Sequence, residues 1–320
     1  MNSVSQANGA LLAAPDPQPE HELQRENPCF TNNGWDGKTY DIQAWLERAP
    51  WRTLRNTEYG YDPAQTANPV LWEDPLINEI YKLDIATFLT AEEVSVSGIS
   101  KLVSQAPDEA SRIFLATQTL DEARHYEIFC RRLADFGVAP AERNELISRV
   151  TTREMKEFYD LIREQANNGD YVGALVAHNI VLEGMAYPVY RYEIKYWSKL
   201  DPCLSRMIQS AFADEVRHVG FGEAFIANEI RRSPDVRNRV RALTHDCNRL
   251  MTSMFEAVIH KYIGLYQEAA NAHMDLMGDI QIFPGMKMAD VSEEDQVRQL
   301  LFEIQTEYKQ RLAHIGLTDN

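Results

Sequence analysis

The sequence repeats one five-residue pattern, Asp-Glu-x-Arg-His, at residues 121–125 and 214–218. In each copy the glutamate lies three residues before the histidine, Glu122 before His125 and Glu215 before His218. On a helix this spacing places both side chains on one face. A carboxylate and an imidazole are both ligands for transition metals. The repeat therefore predicts two matching halves of a metal site.

Two further glutamates complete this predicted site, because each lies on an apolar helix stripe. Glu92 follows Ile85 and Phe88 at steps of three or four residues, whereas its neighbour Glu93 shares a stripe with serines. Glu183 lies on a second stripe, after Val172, Val176 and Ile180 and before Tyr187. A lone carboxylate on such a stripe is costly unless it is paired or binds a metal. The predicted ligands are Glu92, Glu122, His125, Glu183, Glu215 and His218.

The repeated pattern also contains Asp121, Arg124, Asp214 and Arg217. On a solvated helix face these residues would have no role at the site. A ligating histidine, however, needs a hydrogen-bond acceptor for its second nitrogen, and these positions can provide it. We expect the four residues to support the ligands.

The elements that must carry these residues are helices. Apolar periodicity predicts helices over roughly 75–105, 108–137, 141–168, 171–199, 202–232, 235–270 and 291–313. Pro140, Pro202 and Pro234 lie at plausible helix starts, and Pro188 is expected to kink or adjust the helix that contains it. Glu92 precedes Glu122 by 30 residues, and Glu183 precedes Glu215 by 32. Two helical hairpins of this form make a four-helix bundle whose core holds a metal pair.

We predict an all-α fold, a ferritin-like four-helix bundle core with additional C-terminal helices and an irregular N-terminal arm. The arm covers 1–70, which is rich in Pro, Asn, Gln and Gly. Residues 71–320 form a single helical domain, with the metal-binding bundle at about 75–232 and extra helices at about 235–313. Trp35, Trp45 and Trp51 predict that the second half of the arm docks on the domain or on a second subunit.

The composition excludes several classes of function. The net charge of −16 argues against nucleic acid and anionic membranes as partners. No apolar run reaches the ~20 residues needed to span a bilayer, and the first 20 residues lack the basic region of a signal peptide. The four cysteines form no C-x-x-C pair, which is typical of a reducing compartment. We expect a cytoplasmic protein, as a homodimer.

Residues 92–125 resemble the hydroxylase α subunit of the bacterial multicomponent monooxygenases, the soluble methane and toluene monooxygenase group. The spacing from Glu92 to the first pattern is similar without gaps, Gly98 matches a glycine, and the repeated pattern recurs. The resemblance covers residues 90–220, and this chain is much shorter than those α subunits. It implies that one metal is bound by Glu92, Glu122 and His125 and the other by Glu183, Glu215 and His218, with at least one glutamate bridging. It also implies that Asp214 holds His125 and that Asp121 holds His218.

The chain departs from related families at four positions. Tyr187 replaces a threonine that the hydroxylases usually carry one turn after the third-helix glutamate. Phe129 replaces the radical tyrosine of the ribonucleotide reductase small subunit. His178 replaces the cross-linking tyrosine of the ligand-binding oxidases related to that subunit, and Ala211 replaces an extra histidine of the arylamine N-oxygenases. By α-helical geometry His178 lies about 140° from Glu183, which predicts a core or surface histidine.

The predicted function is that of a non-haem dinuclear monooxygenase or oxidase, with two Fe ions, or Mn and Fe, and O₂ as cosubstrate. We expect a small apolar or aromatic organic substrate, with hydroxylation, N-oxygenation and desaturation all open. The sequence has no flavin or nicotinamide motif, so an external electron donor such as a ferredoxin or a reductase is expected. The alternatives are a radical-generating subunit of the ribonucleotide reductase type and a ferroxidase or iron-storage protein. The predicted pocket wall is Phe88, Val96, Leu115, Phe129, Ile180, Tyr187 and Phe212.

Overall fold

The computed structural model describes residues 66–317, and the order of elements is almost entirely helical. The helices are α1 (Val70–Glu73), α2 (Pro75–Gln105), α3 (Glu109–Asp135), α4 (Pro140–Val150), α5 (Arg153–Asn167), α6 (Tyr171–Tyr196), α7 (Pro202–Arg232), α8 (Pro234–Ala272), α9 (Met274–Met277) and α10 (Glu293–His314). A two-stranded antiparallel hairpin, β1 (Gln281–Phe283) and β2 (Met286–Lys287), precedes a short 3-10 turn, Met288–Asp290. The predicted all-α class is confirmed.

Three of the long helices, α2, α7 and α8, begin where the sequence provides both a cap and a proline. Asp74 caps α2 by accepting from the backbone N–H groups of Leu76 and Ile77, and Pro75 follows it at the first helical position. The same arrangement starts α7 and α8, where an aspartate and a serine precede the proline. Since the first N–H groups of a helix have no partner inside it, these caps fix the starts of the helices that carry the site.

Two hairpins of long helices form the centre of the structure. Helix α2 packs along α3, and α6 packs along α7, while α3 also contacts α7. Helices α4 and α5 connect the hairpins and pack on α2, and α8 and α10 cover the second hairpin. The core is divided into two apolar clusters of buried side chains, a large one rich in aromatic residues and a smaller one around Phe114, Phe221 and Phe225.

Helix α6 is not a regular α-helix. Residues Tyr171–Leu175 and Gly184–Tyr196 are α-helical, but Val176–Glu183 between them is π-helical, with hydrogen bonds to the fifth residue instead of the fourth. The irregular turns lie on the N-terminal side of Pro188, where its ring meets the preceding turn. By length and composition, α6 could cross a membrane, but 83% of its apolar window is buried inside the bundle, as in the core helix of a soluble protein.

Two sequence predictions differ from the structure. The helix predicted over 141–168 is interrupted, because Thr152 accepts a hydrogen bond from the backbone of Met155 and starts a new helix. The β1–β2 hairpin was not predicted, although Gly285, with φ of +76°, follows a proline in its turn. Most of the predicted arm, 1–70, with its three tryptophans, lies outside the described residues.

Candidate metal centre

The structure brings the six predicted ligand residues together in the core of the bundle. Glu92 comes from α2, Glu122 and His125 from α3, Glu183 from the last π-helical position of α6, and Glu215 and His218 from α7. Each is 5% exposed or less. They form two groups whose ligand atoms lie within 4.8 Å of one another: Glu92, Glu122, His125 and Glu215, and Glu122, Glu183, Glu215 and His218.

Each histidine faces three carboxylates through its Nδ1 atom. For His125, the distances are 3.5 Å to Glu92, 3.6 Å to Glu122 and 3.5 Å to Glu215. Ligand atoms at adjacent corners of an octahedron with bonds of about 2.1 Å lie about 3 Å apart. The separations are therefore close to those of ligands that share one ion. We call the space beside His125 the first metal position.

His218 has the corresponding environment in the other half of the site. Its Nδ1 lies 3.3 Å from Glu122, 3.6 Å from Glu183 and 3.1 Å from Glu215. We call the space beside it the second metal position. The two positions share two carboxylates, and each has one of its own, Glu92 for the first and Glu183 for the second.

The two shared carboxylates divide their oxygens between the histidines. Glu122 presents Oε2 to His125 and Oε1 to His218. Glu215 presents Oε1 to His125 and Oε2 to His218. A carboxylate in this orientation can bind one metal through each oxygen. The geometry therefore favours Glu122 and Glu215 as bridges, and Glu92 and Glu183 as ligands to a single metal.

Several polar atoms of the cluster are buried without a hydrogen-bond partner among the described residues. They are Oε1 of Glu92, Nδ1 of His125 and Oε2 of Glu183. An unpaired buried polar atom costs free energy, and a bound cation would remove this cost. Four carboxylates and two imidazoles are also a donor set that suits divalent iron and manganese. The residues present thus fit a pair of metal ions.

The pKa values in the cluster depend on burial and on the neighbouring charges. Burial raises the pKa of Glu92 to about 7 and that of Glu215 well above the usual value. Burial alone would also raise the pKa of Glu122, but His218 and His125 lower it well below its usual range. The histidines behave in the opposite way, because the carboxylates raise their pKa values well above normal despite burial. Without metals the cluster is therefore a set of groups that share protons.

The aspartates of the repeated pattern reach across the bundle. Asp214 of α7 contacts His125 of α3, with 3.2 Å between Oδ2 and Nε2, and also pairs with Arg124. Asp121 of α3 lies 3.4 Å from Nε2 of His218 and pairs with Arg217 of α7. Burial would raise the pKa of Asp121, but the charge of Arg217 lowers it far below its usual range. Each aspartate thus connects a histidine and an arginine from the opposite hairpin.

Sequence reasoning missed two amide side chains at the site. Gln118 and Asn179 are both fully buried. Gln118 donates from Nε2 to Oε1 of Glu183 at 2.9 Å, and its own Oε1 accepts from Asn179 at 3.1 Å. Asn179 also donates to the backbone carbonyl of His218 at 3.0 Å. Gln118 lies one turn before Glu122, on the same face, and this spacing was the available sequence signal.

The predicted pocket residues fall into two groups. Four of them belong to the large aromatic cluster: Phe88 stacks on Phe129 at 4.9 Å, and Tyr187 meets Phe212 edge-on at 5.0 Å. Leu115 and Ile180 belong to the smaller cluster instead, and Val96 is only half-buried. Tyr190 was not predicted, but it lies between Phe88 and Phe212. Its hydroxyl is 3.3 Å from Oε1 of Glu215.

Two other residues have positions that bear on the predictions. Glu93 points outwards, with 55% of its side chain exposed, and pairs with Arg163 of α5 at 3.0 Å. His178 is a buried core residue, but the predicted angle between it and Glu183 is wrong, because the prediction assumed an α-helix. The π-helical segment brings its Nδ1 to 3.1 Å from Oε1 of Glu183.

Comparison with solved structures shows that this arrangement of helices occurs in known oxidases. A Synechococcus protein with aldehyde deformylating oxidase activity is 17% identical, with 76% of this chain and 92% of that chain covered and a TM-score of 0.55. An R2-like ligand-binding oxidase with an aerobically reconstituted Mn/Fe cofactor is 18% identical, with 94% and 95% covered and a TM-score of 0.55. A variant of this oxidase with an anaerobically reconstituted Mn/Fe cofactor is also 18% identical, with 93% and 94% covered and a TM-score of 0.59.

No family model matches the chain, and no curated protein is significantly similar to it. At 17–18% identity the structural likeness shows the fold. The chain thus has a ferritin-like fold, and this part of the predicted resemblance is confirmed. The closer resemblance to hydroxylase α subunits stays a prediction.

Proposed function

We propose that the protein is a non-haem dinuclear metal oxidase that activates O₂ and oxidises a small organic substrate. The observation that carries this proposal is the orientation of Glu122 and Glu215, each with one oxygen towards each buried histidine. A structural ion needs a closed set of ligands around one centre. Two adjacent centres that share carboxylates fit redox chemistry better. The structural neighbours, which are oxidases with Mn/Fe cofactors or aldehyde deformylating activity, support the same class.

The six ligand residues would hold two Fe ions, or one Mn and one Fe. When bound, such a pair supplies the electrons and the Lewis acidity that reduce O₂. The chain's own residues fix the ligands and exclude water. Asp214 and Asp121 accept from the outer nitrogens of His125 and His218, and this contact selects the tautomer that leaves Nδ1 free for a metal.

The surroundings of Glu215 support an apolar or aromatic substrate. Phe88, Phe129, Tyr190 and Phe212 form a connected set of rings, and the hydroxyl of Tyr190 contacts Glu215. An aromatic set of this kind binds apolar molecules and leaves few polar groups to solvate charged ones. We propose hydroxylation, N-oxygenation or desaturation as the reaction. Electrons would come from an external donor such as a ferredoxin or a reductase, and the protein would work as a cytoplasmic homodimer.

The proposal is tested by anaerobic loading of the apoprotein with Fe²⁺, or with Mn²⁺ and Fe²⁺, followed by mixing with O₂. Two metals per chain are expected, with O₂ uptake that a chemical reductant sustains. His125→Ala and His218→Ala serve as controls with an impaired metal pair. Apolar aromatic and acyl compounds are then screened by mass spectrometry for oxygen-dependent products. Two bound metals without O₂ uptake would refute the proposal.

The same experiment separates the alternatives. The hydroxyl of Tyr190 contacts the carboxylate of Glu215, whereas that of Tyr187 contacts only the backbone carbonyl of the same residue. A long-lived tyrosyl radical that disappears in Tyr190→Phe would favour a radical-generating subunit. Iron deposited as a mineral within an assembly much heavier than a dimer, measured by sedimentation, would favour storage.

A further inference from the structure

His178 is a buried histidine that the metal site as described does not use. It is 1% exposed, and neither ring nitrogen has a well-aligned hydrogen bond among the described residues. Burying an imidazole without partners is costly. Yet its Nδ1 lies only 3.1 Å from Oε1 of Glu183, a predicted ligand of the second metal position. This close pair is the feature that requires an explanation.

The π-helical winding of α6 produces this pair. Residues five apart point in different directions on an α-helix. In a π-helix the hydrogen bonds join residues five apart, so His178 and Glu183 approach the same face. Such segments are rare and occur often at functional sites. The π-helical segment packs closely on α7, since a Cβ atom added at Gly222 would lie 2.7 Å from Cβ of Asn179.

Glu183 is thus approached from two sides through one oxygen. Gln118 of α3 donates to Oε1 at 2.9 Å, and Asn179 fixes the orientation of that amide because its Nδ2 donates to the Gln118 carbonyl oxygen. His178 lies against the same Oε1. The other oxygen, Oε2, has no hydrogen-bond partner among the described residues. Oε1 also lies 3.6 Å from Nδ1 of His218, so Gln118 and His178 contact the oxygen of Glu183 that faces the second metal position.

The contacts of the three histidines separate a ligand from a supporting residue. Nδ1 of His125 and Nδ1 of His218 each lie within 3.6 Å of three carboxylates. Within residues 66–317, the carboxylate that lies within 4.0 Å of His178 is that of Glu183. A ligand should approach several members of the coordination sphere, whereas a residue that orients one ligand should approach that ligand. His178 has the second pattern.

From these contacts we infer that His178 is a positioning residue, which together with Gln118 holds the Glu183 carboxylate in place at the second metal position. This inference rests on the proposed metal pair and deepens it. Glu92, the corresponding residue of the first position, contacts His125 and has no such amide–imidazole pair among its described contacts. The two metal positions are therefore unequal, and His178 sets the affinity of the second.

The test is a titration of the apoprotein with Mn²⁺ alone, followed by EPR and equilibrium dialysis. His178→Leu replaces the imidazole with an apolar side chain of similar bulk and removes the polar contact with Glu183, whereas His178→Gln keeps a polar group that can donate. Wild type should bind two Mn²⁺ per chain. In His178→Leu one affinity should stay unchanged while the other falls about 10–100-fold, as for other residues that orient ligands. His178→Gln should recover most of the loss.

The affected position is identified by a second substitution. In His125→Ala the second position is the intact one, so adding His178→Leu should weaken the remaining site. In His218→Ala the first position is intact, so the same addition should change nothing. If His178→Leu does not fold, Gln118→Met removes the amide that donates to Glu183. Because Gln118 also lies 3.4 Å from Oε1 of the shared Glu122, the second position should then lose more affinity than the first.

Each other outcome has a defined meaning. Unchanged affinities in His178→Leu would overturn the inference. Equal weakening of both positions, without recovery in His178→Gln, would indicate a packing role and would also overturn it. Complete loss of the second metal in both His178 variants would make His178 a direct ligand, contrary to the inference. If wild type binds fewer than two Mn²⁺, the proposed function fails instead.

Discussion

Replacing Asp214 with asparagine isolates the contribution of charge next to a metal-binding histidine. Asp214 contacts Nε2 of His125 at 3.2 Å and pairs with Arg124, and only 6% of its side chain is exposed. Asparagine keeps the size and a carbonyl acceptor but removes the negative charge. Alanine would be a poorer test, because it leaves a largely buried arginine without its partner, which can cost about 3–5 kcal/mol of stability.

The expected magnitude follows from this contact. A carboxylate behind a ligating imidazole makes its other nitrogen a stronger donor, and losing such a partner typically weakens metal affinity about 10–100-fold. This range corresponds to about 1.4–2.7 kcal/mol of binding free energy. Because Asp214 contacts His125, Asp214→Asn should weaken the first metal position. Asp121 lies 3.4 Å from His218, so Asp121→Asn should weaken the second.

The assay is a competitive titration of the apoprotein with Fe²⁺ or Mn²⁺ under anaerobic conditions, against a chelator of known affinity. Asp160→Asn is the matched control, because Asp160 lies on α5 with about half of its side chain exposed. That variant should bind both metals as wild type does. If the metal affinities of Asp214→Asn and Asp121→Asn also match those of wild type within about twofold, the aspartates do not support the histidines. They then serve only as ion-pair partners of Arg124 and Arg217.

Three further perturbations test the site and the fold. Glu92→Ala should remove metal from the first position, whereas Glu93→Ala, at an exposed residue, should leave metal content unchanged by elemental analysis. Gly222→Ala should lower the free energy of unfolding, measured in urea, by about 1–3 kcal/mol, because the added Cβ would lie 2.7 Å from the side chain of Asn179. Gly98→Ala should raise it by up to about 1 kcal/mol, because the nearest atom to its added Cβ lies 3.4 Å away. Burial raises the pKa of Asp84 from 3.8 to about 6, so the stability that its protonated form contributes is lost as the pH rises through this interval, and urea unfolding of Asp84→Asn should show a smaller loss there.

The sequence was sufficient for those parts of the site that depend on regular helices. Glu122 and His125 share a face at a spacing of three, and an α-helix guarantees this wherever the helix lies. Glu92 was separated from Glu93 because only one of them lies on an apolar stripe. Both arguments use local periodicity, and the bounds of α2 and α7 agree with the predicted 75–105 and 202–232.

The parts that sequence reasoning missed depend on contacts between helices or on irregular winding. Gln118 and Asn179 are ordinary amides until α3, α6 and α7 bring them together. His178 was placed away from Glu183 because nothing in the residue types marks a π-helical segment. Tyr190 acquires its role only through the carboxylate of Glu215 on another helix. Of these partners, Gln118 has a signal in the spacing within one segment, because it lies one turn before Glu122; the others cannot be read from such spacing.

The packing of α10 has a consequence for the order of events during synthesis. Arg311 of α10 pairs with Glu223 of α7 at 3.0 Å, and both side chains are nearly inaccessible to solvent. His314 contacts the same glutamate across a separation of 91 residues. At ribosomal rates of about 5–20 residues per second, the partners of Glu223 on α10 are synthesised about 5–20 s after Glu223 itself. A nascent chain therefore carries its complete set of ligand residues before Glu223 gains its partners Arg311 and His314.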